Sequence, residues 1–390
     1  MRVQKVMSEG ISVTVIIPTF NRAKYIAECI ASLLAQTMKP DRIIVVNDGS
    51  TDDTLGVLSQ FGDRITVVNK ANGGKAQALN FILPSVTSDY VWLFDDDDVA
   101  LPDSISHRAS LLSEALDVNL VISSHFVGVD DVDGKIISTQ QYQFPMVSNE
   151  DFFFQVLCGC FFTLPGMLIA TSLLRDVGPF DEALLRSQDY DIIIRLLHQG
   201  KAIMTNTPTF IVRLHSGVRG PLNALHDYQE KDNIWLRYDQ MIGRKVRSAL
   251  NLMEYLPEKM QEAKYPKRLA LMRRMSVMAS KGLVPEMVED VASALSHCGS
   301  VLSSEEILLC RGAACTKYFV LQASLGDNVL LEGLKPIRYS IAKRQIIRSF
   351  CRGLLWSMRS TLVSRQGRLN LMKLTVSLYL LSRPLGIKLL

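Results

Sequence analysis

Between Val13 and Phe94, short apolar runs alternate with segments of helical spacing, and that alternation restricts the chain to few architectures. Val13 to Ile17, Ile43 to Val46, Ile65 to Val68 and Tyr90 to Phe94 read as strands. Lys24 to Gln36, with Ile26, Ile30, Leu33 and Leu34 at helical intervals, reads as a helix, as do Thr54 to Phe61 and Ala76 to Leu83. Strands joined through helices pair in parallel, and a parallel sheet is covered on both faces. The expected fold is α/β, a mainly parallel sheet flanked by helices. In such sheets ligands bind outside the carboxyl ends of the strands.

That rule picks out four polar clusters, one behind each run. They are PTFNR at Pro18 to Arg22, NDGS at Asn47 to Ser50, NKANGGK at Asn69 to Lys75, and the aspartates of VWLFDDDDVALP at Asp95 to Asp98. Turn chemistry accounts for Asn, Asp and Gly singly, but not for four adjacent carboxylates behind a buried strand. Like charges there repel, and a bound cation is what makes such a cluster stable. An EF-hand loop is excluded, because the sixth and twelfth positions from Asp95 hold Ala100 and Ser106. A dinucleotide-binding turn is excluded as well, since PTFNRA stands where GxGxxG is required.

Residues 13 to about 220 resemble the family 2 glycosyltransferases, which have the GT-A fold. The resemblance rests on VIIPTFNR, IIVVNDGSTDDT, NGGKAQALN, WLFDDDDVALPD, VGPFDE, SQDYDIIIRLL and VRLHSG, in that order. It implies an inverting, metal-dependent transfer of a sugar from a nucleotide-sugar, with uridine the expected base, to an acceptor hydroxyl. Cell-surface polysaccharide or glycolipid assembly is the expected setting. By the same resemblance Asp95 and Asp96 bind sugar or ribose hydroxyls, Asp97 is the direct ligand of Mg2+ or Mn2+, and His215 approaches that metal or the diphosphate. Asp48 is expected to accept a hydrogen bond from the nucleobase, with Pro18, Thr19, Phe20 and Asn21 around base and ribose. Thr19 and Asn21 would serve equally as caps of the following helix. Lys75 is expected to meet phosphate, the glycines before it letting the backbone approach, although a solvated lysine is the ordinary alternative. Asp189 is the expected general base. At a helix start its charge, like that of Asp191, would also be stabilised by the helix dipole alone. Gln188 stands where many relatives have Glu.

Two other readings stay open. A sugar-phosphate nucleotidyltransferase has a similar fold but would want a Gly-rich basic loop after the first strand. A nucleotide-binding scaffold without turnover would not need both Asp97 and Asp189.

The rest of the chain differs in charge. From Leu331 onward, twelve basic residues face Glu332 alone, a net +11, which leaves −7 on the remainder of a chain whose total is +4. Arg344, Arg348 and Arg352 repeat at helical spacing beside Ile347, Phe350, Leu354, Met358 and Leu362. Such a helix would either lie on an anionic membrane or pack against its own protein. The expected organisation is a glycosyltransferase domain at 1–220, a helical region at 221–338 and a basic amphipathic segment at 339–390. No window reaches the roughly 18 apolar residues of a spanning helix, and ISVTVIIPTF reads as a core strand, not a leader. The seven cysteines lack zinc-site spacing and read as reduced thiols. The expected location is the cytoplasm, peripherally at the inner membrane face, with a nucleotide-sugar and a glycan or lipid-linked acceptor as partners and no nucleic acid.

Overall fold

The computed structural model describes residues 10–115, 117–132, 134–214, 231–296, 301–326, 328–360 and 364–383. It divides into two compact units, Met1–Met146 with Cys160–Tyr228, and Val147–Gly159 with Gln229–Leu390.

The first unit is built on a nine-stranded sheet. Its first half alternates β1 (Val13–Thr19), α1 (Ile26–Leu34), β2 (Arg42–Asn47), α2 (Thr54–Ser59), β3 (Thr66–Asn69), α3 (Lys75–Ile82) and β4 (Tyr90–Leu93). β3, β2, β1 and β4 lie side by side in parallel, as the alternation requires. Val15, Ile16, Ile17, Val45 and Val46 are fully buried, which explains why these strands are continuous apolar runs and not alternating ones. α1 turns Ile26, Cys29, Ile30 and Leu33 inward at intervals of three and four. It starts at a turn in which Tyr25 and Ile26 donate to the Arg22 carbonyl, and no side chain caps it. The capping role open to Thr19 and Asn21 is therefore not used.

The second half makes the sheet mixed. β5 (Val99–Ala100), α4 (Ser104–Glu114), β6 (Leu120–Asp130) and β7 (Ile136–Gln141) come first. After α5 (Phe152–Cys158), which groups with the second unit, follow β8 (Met167–Ala170), α6 (Thr171–Asp176), α7 (Gln188–Gln199) and β9 (Ala202–Leu214). β8 runs antiparallel to both β4 and β6, while β9 is parallel to β6 and antiparallel to β5. β9 begins at Ala202, earlier than the apolar run at Phe210 indicates. Its pairing with β6 shifts between Ser123 and His125, and that irregularity takes up Asn206 and Thr207 before Pro208 and Thr209 after it.

The second unit is helical: α8 (Lys231–Ala249), α9 (Pro266–Ser280), α10 (Val284–Ser296), α11 (Ser304–Ala313), α12 (Lys317–Ser324), α13 (Val329–Leu334), α14 (Ile341–Ser360) and α15 (Arg365–Leu381). α9 is buried nearly all round and takes its charges in with partners. Arg268 forms two hydrogen bonds to Glu306 at 2.6 and 2.8 Å, and Arg273 donates to Asp151 at 2.6 Å. In α14 the stripe Ile347, Phe350 and Leu354 is fully buried. Of the two uses open to that amphipathic face, this stripe is spent on packing within the unit, because α11 and α15 both lie against α14. Leu362 lies outside the described residues. No described helix is long and apolar enough to cross a membrane.

Candidate functional site

The register of the first unit aligns the ends of its strands. Thr19 pairs with Asn47 and Asn47 with Asn69, so the clusters behind β1, β2 and β3 emerge side by side. Asp95 follows one residue behind Phe94, whose N–H donates to the Ile16 carbonyl.

Asn21, after β1, adopts the left-handed conformation at φ 53°, a position that Asn tolerates better than most residues. Its amide oxygen accepts from Thr51 N–H at 2.7 Å, and its own N–H donates to Ser50 at 3.0 Å, joining the first two loops. Pro18 and Thr19 are the last residues of β1 itself, and Phe20 is half-buried behind them. Asp48 is 4% exposed and holds the third loop. Its carboxylate accepts from Lys70 Nζ at 2.6 Å, Asn72 Nδ2 at 3.2 Å, Gly73 N at 3.0 Å and Gly74 N at 2.7 Å. Gly74 has φ 90°, which frees the backbone to turn and start α3 at Lys75.

Lys75 connects two distant carboxylates. Its ammonium donates to Asp95 at 2.8 Å and to Asp189 at 2.9 Å, and these flanking charges raise its pKa against the opposing effect of burial. Asp189 occupies the first turn of α7, just behind Ser187 at φ 58°. Its Oδ1 is buried and has no hydrogen-bond partner among the described residues. Asp191, two residues on, is different. It is 3% exposed and accepts from Arg195 at 2.8 and 3.0 Å, while Arg195 also donates to the carbonyls of Val177 and Pro179. Of the two acids at this helix start, Asp191 braces the VGPFDE turn and Asp189 faces Lys75.

The acidic run is held by two arginines without an assigned role in the sequence. Arg22 Nε lies 3.3 Å from Asp96 and 4.0 Å from Asp97. Arg213, on β9 and 1% exposed, donates through its backbone N–H to Asp98 at 3.0 Å and through Nε to the Asp97 carbonyl at 2.9 Å. Its guanidinium also meets Asp130 and Glu28. The signal for Arg22 was a cation inside the first-strand motif; for Arg213 it was a charge within a strand. His215 lies outside the described residues.

Positive charge does not fully balance the cluster. Burial, and next the neighbouring Asp97, push the Asp96 carboxyl up to about 7, with Arg22 opposing them. Burial likewise raises Asp95, with Lys75 opposing and Asp189 and Asp97 adding to it. Crowded carboxylates with hard oxygen donors fit a small dication. Among the described residues no three His, Cys, Asp or Glu side chains form a cage for one.

The model of the family described as "Glycosyl transferase family 2" matches residues 14–168. An uncharacterized glycosyltransferase of Rickettsia typhi is 30% identical over 237 residues, covering 57% of this chain and 70% of its own. The chondroitin synthase of Pasteurella multocida is 28% identical over 249 residues, which are 62% of this chain and 24% of that longer protein. Among solved structures, S. aureus TarS 1–349 in complex with UDP-GlcNAc superposes with a TM-score of 0.51 at 16% identity, over 83% of this chain and 89% of its own. At that identity the likeness bears on the fold.

Proposed function

Because the chain belongs to glycosyltransferase family 2 and has a GT-A type fold, we propose that it moves a sugar from a UDP-sugar to an acceptor hydroxyl in one displacement, with inversion at the anomeric carbon. The observation that carries this reading is the Lys75 bridge, 2.8 Å to Asp95 behind β4 and 2.9 Å to Asp189 at the start of α7. It joins the carboxylate behind β4, read here as donor-side, to the one at the start of α7, read here as the base. UDP is preferred because a similar fold is seen with UDP-GlcNAc in S. aureus TarS. A glycan acceptor is preferred because of the similarity to chondroitin synthase.

In this reading Asp95 and Asp96 take hydroxyls of the sugar or ribose, and Pro18, Thr19, Phe20 and Asn21 border the base and ribose. Asp48 contributes through the Lys70–Gly74 loop that it anchors, with the nucleobase as a further partner. Asp97, with His215, would hold Mg2+ or Mn2+, which when bound supplies charge to the leaving diphosphate. Lys75 turns from carboxylate to phosphate when the donor arrives, and Asp189 then takes the acceptor proton as its oxygen attacks. Asp189 Oδ1, without a partner among the described residues, supports that role. A single base and no covalent intermediate give the inverted anomer. The enzyme is proposed to act in the cytoplasm, with the limit of the transferase domain near 220.

The test is calorimetry with UDP and a panel of UDP-sugars, with and without Mn2+. Wild type should bind more tightly with the cation, and Asp97→Ala should lose that gain. Unchanged cation-dependent affinity in Asp97→Ala would remove Asp97 from the site. Binding of a donor that is never turned over, with any acceptor, would favour an inactive scaffold.

A further inference from the structure

The α14 stripe is buried, yet another apolar face in the same unit is not. On α15, Leu369, Met372, Val376, Tyr379 and Leu380 are each between 43 and 57% exposed. Their spacing of three, four, three and one places them on a single side of the helix. The opposite side, Gly367, Leu371, Leu374, Thr375 and Leu378, is the buried one. A helix at the surface of a folded unit normally turns its polar side outward, so both sides being apolar requires a second apolar neighbour for the outer one.

The charge around this face identifies that neighbour. Arg365 stands one turn before Leu369 and Arg368 directly before it, Lys373 lies among the apolar positions, and Arg383 follows Leu380. Near the end of α14, Leu355 and Trp356 are exposed between the exposed Arg352 and Arg359. From Gly333 to the last residue the sequence contains no Asp or Glu. A second copy applied to the same face in a two-fold dimer would set cation against cation. Nucleic acid would leave the apolar stripe uncovered. An anionic lipid surface satisfies both halves of the pattern, since its headgroups meet the cations while its acyl boundary receives the apolar side chains.

We propose that the outer face of α15, Leu369 to Leu380, is a docking surface for anionic lipid. It seats the helix in the plane of the membrane. Tyr379 is suited to the headgroup level, where amphipathic rings concentrate. The proposal is independent of donor and acceptor chemistry, so it stands or falls apart from the transfer reaction.

The experiment is co-sedimentation of the full-length protein with vesicles of phosphatidylcholine alone and of equimolar phosphatidylcholine and phosphatidylglycerol. Thermal melting and sedimentation velocity of the same samples serve as controls. Wild type should bind the anionic vesicles only, and binding should weaken in about 1 M salt, where screening reaches about 3 Å. The double variant Met372→Asp with Val376→Asp, and separately Arg365→Gln with Arg368→Gln and Lys373→Gln, should each lose at least about tenfold in partitioning with unchanged melting. The charge variant keeps the test valid if the aspartate variant folds poorly. Absence of wild-type binding at low salt would overturn the proposal. Wild-type partitioning by the charge variant would do the same. A wild-type dimer that the aspartates convert to monomer, without lipid binding, would assign the face to a second copy instead.

Discussion

At Asp96, burial and the adjacent Asp97 favour the neutral acid while Arg22 and the Thr19 hydroxyl favour the anion, and the carboxyl keeps its proton up to about 7. The unfolded chain releases that proton near 3.8. Between those values the unfolded state binds fewer protons, so this group lowers stability as pH rises from about 4 to about 7, and the loss persists above that. Each unit of displacement corresponds to about 1.4 kcal/mol, so the contribution is at most a few kcal/mol. In buffer with chelator, wild type should therefore melt lower at about pH 8 than at about pH 5, and Asp96→Asn should reduce that difference, gaining about 1–3 kcal/mol at the higher pH. Differential scanning calorimetry of both proteins at the two pH values measures this. Equal pH dependence in wild type and variant would mean that Arg22 neutralises the site more fully than the geometry indicates. The residue scale also separates Asp189 from Asp191. The resemblance to the family singles out Asp189, and the three-dimensional partners, Lys75 for Asp189 and Arg195 for Asp191, give the two acids of one helical turn different surroundings.

At the level of elements, the first half of the sheet was legible because each parallel strand is buried on both faces and reads as a solid apolar run. The site was legible for the same reason, since polar clusters behind such runs fall on one rim. The second half was harder. β8, Met167–Ala170, has four residues, and nothing in so short a run distinguishes an antiparallel from a parallel neighbour. β5 has only two residues, and β7 carries a largely exposed, polar sequence that resembles a loop. Arg213 was missed because its partners Glu28, Asp97 and Asp130 lie 83 to 185 positions away in sequence. The α14 stripe was correctly seen as apolar, but whether a membrane or its own protein covers it was not legible, because helical spacing identifies a buried face without naming what buries it; the structure packs Ile347, Phe350 and Leu354 inside the unit. Within the second unit, the buried Arg268–Glu306 pair ties α9 to α11, and Glu306 also accepts from Ser303 N–H at the start of α11. Arg268→Ala would leave that carboxylate buried beside a void, and urea unfolding followed by helical circular dichroism should record a loss of about 3–5 kcal/mol. A loss below about 1 kcal/mol, the range of exposed pairs, would mean that solvent reaches the pair.

Across the whole molecule, charge divides as the chemistry does. The acidic rim belongs to the unit that carries the GT-A sheet, whereas the cations from Lys335 onward belong to the helical unit. The proposed donor site and the helix proposed to face lipid thus rest on separate folded units, and variants in one should leave the other's function intact. The central claim concerns the rim, and Asp189 tests it most directly, because a base acts on the acceptor and not on the donor. The decisive measurement compares wild type and Asp189→Asn for UDP-sugar affinity and for transfer to a glycan acceptor, with the product anomer identified by NMR. Donor affinity should be retained, transfer should fall by at least the roughly 10²–10⁴-fold that general base catalysis supplies, and wild type should yield the inverted product. Near-normal transfer by Asp189→Asn, or a retained anomer from wild type, would contradict the account.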